Sequence, residues 1–405
     1  MRRRLVPRFS VASVATVAGL FAIAACSAPG DPSAFGKGNR PAGSTDSPGT
    51  FGNGNDPSGN GTTKAACVPD KSHYDIPGDG CDTDADGTVD NAAPCDAALA
   101  NAGSPEDFAR SMGICDAAAK RGFGLVSAKF TRGHGRDDAP MAEQHGVLEK
   151  FGSVVKPREG SRLGVLSTGY AQEFNGSPGA LFGGDAIGKD WFNSRVNQGN
   201  GTAPPGYPKA AADCPLATEV NDVIDLRLEL KAPANATGFK FDFNFHSGEW
   251  PAFICSRFND GFVAYLSAQG FNGGKPENIS FDSKKSPVSV NNGFFDRCTP
   301  GAKIGCEQGA KPGTSTCPGG ADELAGTGFG VVGNYCPVGG GQTVSGGATG
   351  WLSSQAPVKP GETFTLDLMI WDTGDGDLDS LVLLDNFQWV AGTVVTQTER
   401  PKGPN

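Results

Sequence analysis

In CDTDADGTVDN, Asp82, Asp84, Asp86 and Asp90 sit two, two and four residues apart around Gly87, between Cys81 and Cys95. Alternate carboxylates in a loop can converge on one hard cation, and a glycine allows the sharp turn that brings them together. Without a cation such carboxylates repel one another, so the competing reading is a solvated acidic turn shaped by its disulfide alone. A second run, WDTGDGDLDSLVLLDNFQW, offers Asp372, Asp375, Asp377, Asp379 and Asp385 in and after a turn. These are candidate calcium ligands too, although Asp and Gly are also what any tight β-connection uses. Glu249 and Asp260, with Trp250 between them, form a third set of candidate ligand-binding residues. Paired carboxylates set roughly 5–10 Å apart could work on a glycosidic bond.

These residues must be positioned by strands. GLVSAKF at 124–130, RLGVLSTGY at 162–170, DVIDLRLEL at 222–230, GFVAYLS at 261–267 and FTLDLMIW at 364–371 are β-branched and apolar. In TGFKFDFNFHSGEW, Phe239, Phe241, Phe243 and Phe245 alternate with Lys240, Asp242, Asn244 and His246. Period-two alternation predicts a strand with four rings on a buried face and polar groups on the other. In SPEDFARSMG, Ser104 can cap a short helix, Pro105 suits its first turn and Gly113 stops it. The expected fold is mainly β, an antiparallel, jelly-roll-like β-sandwich with a small disulfide-tied N-terminal module and long Gly/Pro-rich loops at 174–215 and 293–350.

The first residues carry Arg2, Arg3, Arg4 and Arg8, and Phe9 to Ala25 then runs without charge to Cys26. A charged region followed by a short apolar one is an export signal, and this stretch falls short of the ~20 apolar residues a membrane span needs. Ile23, Ala24, Ala25 and Cys26 resemble the lipobox of bacterial lipoproteins. That resemblance implies cleavage after residue 25 and acylation of Cys26, an ordinary secretory signal being the alternative. Residues 26–64 are almost wholly Ser, Gly, Pro, Asn, Asp and Thr and read as a flexible tether spanning about 30–40 Å. An Asp-rich chain of net charge −10 excludes nucleic acid and anionic membrane surfaces as partners, since both need basic patches.

Cys26 apart, Cys67, Cys81, Cys95, Cys115, Cys214, Cys255, Cys298, Cys306, Cys317 and Cys336 form an even set. No CxxC occurs, so disulfides in an oxidising compartment are expected over a metal or redox site. Their pairing is open. No catalytic motif emerges. None of the four histidines lies in HExxH, and Ser167 in GVLSTG lacks the GxSxG spacing of a nucleophile elbow. Trp250, Trp351, Trp371 and Trp389 are candidates for exposed sugar stacking.

The 82–90 run begins as an EF-hand loop would, but the twelfth position is Ala93 in place of a bidentate glutamate. It instead resembles the Asp-rich calcium loops of thrombospondin type 3 repeats, which implies structural calcium. GVLSTGYA, FKFDFNFHSGEWPAFICSRFNDGFVAYLS, PVSVNN and DTGDGDLDSLVLLDNF, in this order, resemble the choice-of-anchor L domain of bacterial surface proteins, over roughly 122–392. The motif positions are Thr168 and Gly169, Ser247 and Glu249, Asn259 and Asp260, Asn291, and Asp379 with Ser380. Where the family usually shows SEEY, this chain has Ser247, Gly248, Glu249 and Trp250, which weakens a metal role for that turn.

The resemblance implies a secreted β-rich surface domain with no assigned catalytic residues. The resulting expectation is a non-enzymatic, lipid-anchored protein of the outer membrane or cell surface, calcium-stabilised and acting in adhesion, matrix association or envelope architecture. Its parts would be a signal at 1–25, a tether at 26–64, a Cys-rich acidic-loop module at 65–121, the β-sandwich at 122–392 and a disordered tail at 393–405. Its partners would be the membrane, through Cys26, and a surface polysaccharide or envelope protein. The alternative is a carbohydrate-binding module or glycoside hydrolase of the envelope.

Overall fold

The computed structural model describes residues 67–91, 93–173, 199–211, 213–337 and 343–401. The expected signal, Cys26, the tether and residues 174–198 of the expected 174–215 loop lie outside the described residues.

The strands in chain order are β1 (Gly124–Thr131), β2 (His145–Leu148), β3 (Leu163–Ser167), β4 (Val220–Lys231), β5 (Gly238–Ser247), β6 (Gly261–Ser267), β7 (Glu277–Asn278) and β8 (Val288–Ser289). After them come β9 (Lys303–Ile304), β10 (Gly313–Thr314), β11 (Val331–Pro337), β12 (Thr343–Ser345), β13 (Gly347–Ala348), β14 (Leu352–Pro357), β15 (Thr363–Thr373), β16 (Ser380–Val390) and β17 (Gln397–Glu399). One sheet has the order β1-β4-β15-β6-β7 with β8 also on β6, and the other the order β17-β14-β5-β16-β3-β2 with β13 also on β5. The pairings within both are antiparallel.

The expected sandwich is present. Phe239, Phe241, Phe243 and Phe245 of β5 meet Leu226, Leu228 and Leu230 of β4, Phe262 and Leu266 of β6 and Leu366, Leu368 and Ile370 of β15 in one core. Phe239 stacks on Phe364 at 5.3 Å between ring centroids, and Phe243 lies 5.0 Å from Phe262, each pair spanning the two sheets. The alternate face of β5 differs from expectation. Asp242, Asn244 and His246 are also buried, because a second apolar layer covers that side. Phe151, Val155, Leu324 and Phe329 from connecting segments pack there with Val165, Leu381 and Leu383.

The long strands alternate between the layers. β1, β4, β6 and β15 belong to one sheet and β3, β5, β14 and β16 to the other, so each long connection crosses from layer to layer. Three crossings, at 168–219, 248–260 and 374–379, leave or enter at the same end of the sandwich. Thr373 pairs with Val220 and Trp371 with Gly261 in one sheet, while Ser380 pairs with Ser247 and Leu381 with Ser167 in the other.

The short helix α1 (Pro105–Ser111) starts as its sequence predicts: the Ser104 hydroxyl accepts from the Asp107 amide, and Asp107 accepts from the Ser104 amide. It is followed by α2 (Ala118–Arg121). Ile76, Leu99, Phe108 and Met112 from the N-terminal module join the sandwich core itself. The disulfides are Cys67–Cys81, Cys95–Cys115, Cys214–Cys255, Cys298–Cys317 and Cys306–Cys336. The C-terminal segment departs from its expected disorder: β17 extends the second sheet through β14, and Arg400 donates to Asp296 and to the Thr349 carbonyl. Backbone groups that pair with an open sheet edge are held in place.

Candidate functional site

Two sets of carboxylates were expected near cations, and they fold differently. In the first, Asp82, Asp84 and Asp86 bring side-chain oxygens within 4.8 Å of one another, the only such group of three among the described residues. The loop is tightly turned: Asp82 accepts from the Asp86 and Gly87 amides, and Asp86 accepts from the Thr88 amide and the Asn91 side chain. The fourth expected ligand, Asp90, instead accepts from the Gly80 amide at 3.0 Å. Arg121 approaches Asp84 at 3.5 Å and Asp116 at 3.3 Å. Burial raises the pKa of Asp84, against the amide of Asp86. Beside the loop lies a cleft of about 240 Å³ lined by Asp84, Asp86, Asp116, Arg121, Glu159 and Trp389.

The second set splits. Asp372 is the penultimate residue of β15 and is 1 % exposed, and Asp379 precedes β16 and is also buried. Asp375 is half-buried and Asp377 is exposed on the turn between them. Asp385 lies well along β16, where it accepts from the amides of Arg158, Glu159 and Asn386, so it has no part in that turn. Its burial pushes its carboxyl well above the ordinary range despite those amides.

What joins Asp372 is the set read from sequence as a ligand-binding pair. Glu249 follows β5, Asp260 precedes β6, and both are buried. Asp260 Oδ1 accepts from the Thr373 amide at 3.0 Å and Oδ2 from the Ser380 hydroxyl at 2.8 Å. Ser380 donates its amide to the Thr168 hydroxyl at 2.9 Å. Asn291 accepts from the Cys255 amide and donates to Asn259, which fixes the approach to Asp260. Glu249 is held by the turn in which its amide donates to Ser247 Oγ. The positions scattered over the chain as family motifs therefore gather at one end of the sandwich, where β3, β5 and β15 end and β4, β6 and β16 begin.

Burial dominates the electrostatics there. It raises Glu249 well above its ordinary value, with Asp260 the strongest charged neighbour. It raises Asp372 likewise, with Asp260 and then Asp379 adding to the effect. Asp260 is pushed up to about 7 by burial, opposed by the Thr373 amide and the Ser380 hydroxyl. Sequence reasoning missed Asp222, which reads as an ordinary polar position of a strand. Its residue has a left-handed φ of 50°, and a Cβ on Gly376 would come within 2.5 Å of its carboxylate, so the turn passes close over it.

The tryptophans expected to offer exposed rings do not. Trp250, Trp351, Trp371 and Trp389 are between 1 % and 8 % exposed, because each fills apolar space between layers. Glu249 and Asp260 likewise sit inside the protein.

The chain belongs to the choice-of-anchor L domain family, whose model matches residues 164–388, from within β3 to within β16. That makes it a surface-associated protein, of a family that is not an enzyme family. No curated protein and no solved structure matches it. Among the described residues no helix is long and apolar enough to cross a membrane.

Proposed function

We propose that this is an exported surface protein, lipid-anchored through Cys26, that acts without catalysis in adhesion, matrix association or envelope architecture, and whose domain is stabilised by calcium at Asp82, Asp84 and Asp86. The observation that carries the calcium reading is the convergence of those three carboxylates within 4.8 Å in a chain of a surface-domain family. Hard cations take oxygen ligands from such loops, in extracellular modules with dissociation constants near millimolar. Linkage at ten times that constant adds only about 1.4 kcal/mol, so the ion serves as a clamp on the module and not as a reagent. The loop resembles those of thrombospondin type 3 repeats, which too suggests structural calcium.

In this reading residues 1–25 are removed on export, residues 26–64 hold the folded part away from the lipid, and 65–121 and 122–392 form the projecting module and domain. Two or more acyl signals give stable anchoring where one chain does not. Outer-membrane placement is part of the proposal. Its test is fractionation of cells producing the chain or its Cys26→Ser variant. The native chain should be released from membranes only by detergent, and the variant should be soluble. A native chain that is soluble without detergent would contradict anchoring.

Carbohydrate recognition is a second reading, favoured by the acidic cleft lined by Asp84, Asp116, Arg121, Glu159 and Trp389. Saturable binding on a glycan array, abolished by Arg121→Ala, would support it.

A further inference from the structure

Asp372 is 1 % exposed, and neither oxygen of its carboxylate accepts a well-formed hydrogen bond, the Thr168 hydroxyl and the Asp260 carboxyl lying beside it without closing one. Glu249 is 2 % exposed, and its Oε2 accepts none. The two come from opposite sheets, and Asp260 is the strongest charged neighbour of each. No lysine or arginine among the described residues offsets Glu249, Asp260 or Asp372. Elsewhere buried carboxylates are given partners: Asp385 and Asp96 accept backbone amides. Buried Asp367 is paired with Arg227 at 2.9 Å, and buried Asp242 with Arg158 at 3.2 Å.

Buried carboxylates without a counter-charge are expensive, and like charges together are more so. A proton shared between Asp372 and Asp260 would neutralise one of them, yet it would leave Glu249 Oε2 without a partner. A hard divalent cation supplies the missing charge and takes oxygen ligands alone, so it answers both needs. We propose that the carboxylates of Asp372 and Glu249, with Asp260 and Asp379 beside them, hold a calcium ion between the ends of the two sheets. The ion would brace the crossovers 248–260 and 374–379 against each other. It would be distinct from the exposed Asp82 loop. The carboxylates here are spaced more widely than those of that loop, and the ion would draw them inward. Buried on all sides, it would exchange slowly.

The two metal readings separate in one background. The chain carrying Asp82→Asn, Asp84→Asn and Asp86→Asn is purified, desalted and analysed for calcium, and its unfolding is followed with calcium or with excess EGTA. One calcium per chain should survive desalting, and prolonged EGTA should lower the unfolding temperature by several degrees. Adding Asp372→Asn or, separately, Glu249→Gln should remove the ion and the EGTA effect together. If those variants do not fold, the metal content of the loop variant still decides. A loop variant that retains no calcium and unfolds alike in both solutions would overturn the proposal. Failure of the exposed-loop reading is seen separately, as an equal rise in unfolding temperature of the native chain and the loop variant when millimolar calcium is added.

Discussion

The Ser380 hydroxyl donates to Asp260 at 2.8 Å and ties the first residue of β16 to the residue that precedes β6, across the two sheets. Both residues are buried, so water cannot replace the bond. Ser380→Ala leaves a buried carboxylate short of a donor, which costs about 1–3 kcal/mol. The denaturant midpoint should fall with the slope unchanged. An unaltered midpoint would mean that the bond does not contribute to stability.

Gly164 in β3 faces Phe108 of α1, and a Cβ there would lie 2.3 Å from the ring. Gly164→Ala should therefore push α1 off the sheet and cost about 1–3 kcal/mol by overpacking. Equilibrium unfolding in urea measures it, and a variant as stable as the native chain would show that the helix can shift freely.

How legible this was in the sequence follows from the range of the signals. β6 is found at its exact bounds of 261–267 and β5 from its four phenylalanines, because period-two alternation is local. The helix cap at Ser104 is equally local. Burial of Asp242, Asn244 and His246 was not legible, since the layer covering them comes from residues near 151 and 329. Asp372, Glu249 and Asp260 each stood out as acids, but their meeting depends on three layer crossings that no spacing along the chain reveals. Family motifs named the positions without saying that they touch.

Cys214–Cys255 closes a separation of 41 residues and anchors the 248–260 crossover. Replacing both with serine should cost about 2–4 kcal/mol. Urea unfolding of the double variant beside the native chain checks this. No loss would show that the crossover holds itself.

His246 is 1 % exposed, between the rings of Phe151 and Phe329, and burial lowers its pKa from 6.5 to about 3. No charged group among the described residues contributes to that shift. Between those values the unfolded chain takes up a proton that the folded chain refuses. Stability therefore rises with pH across the window and is lost as pH falls through it, by at most about 1.4 kcal/mol per pH unit. Denaturant midpoints from pH 7 to 4 should fall less steeply in His246→Gln than in the native chain. Equal slopes would assign the acid sensitivity to other groups.

The central claim, that calcium stabilises this surface domain, is tested most directly by calorimetric unfolding of the purified chain in millimolar calcium and in excess chelator. Calcium should raise the unfolding temperature, and Asp82→Asn with Asp84→Asn should diminish the increase. Superimposable transitions in the two solutions, from a chain that carries no bound metal, would contradict the claim.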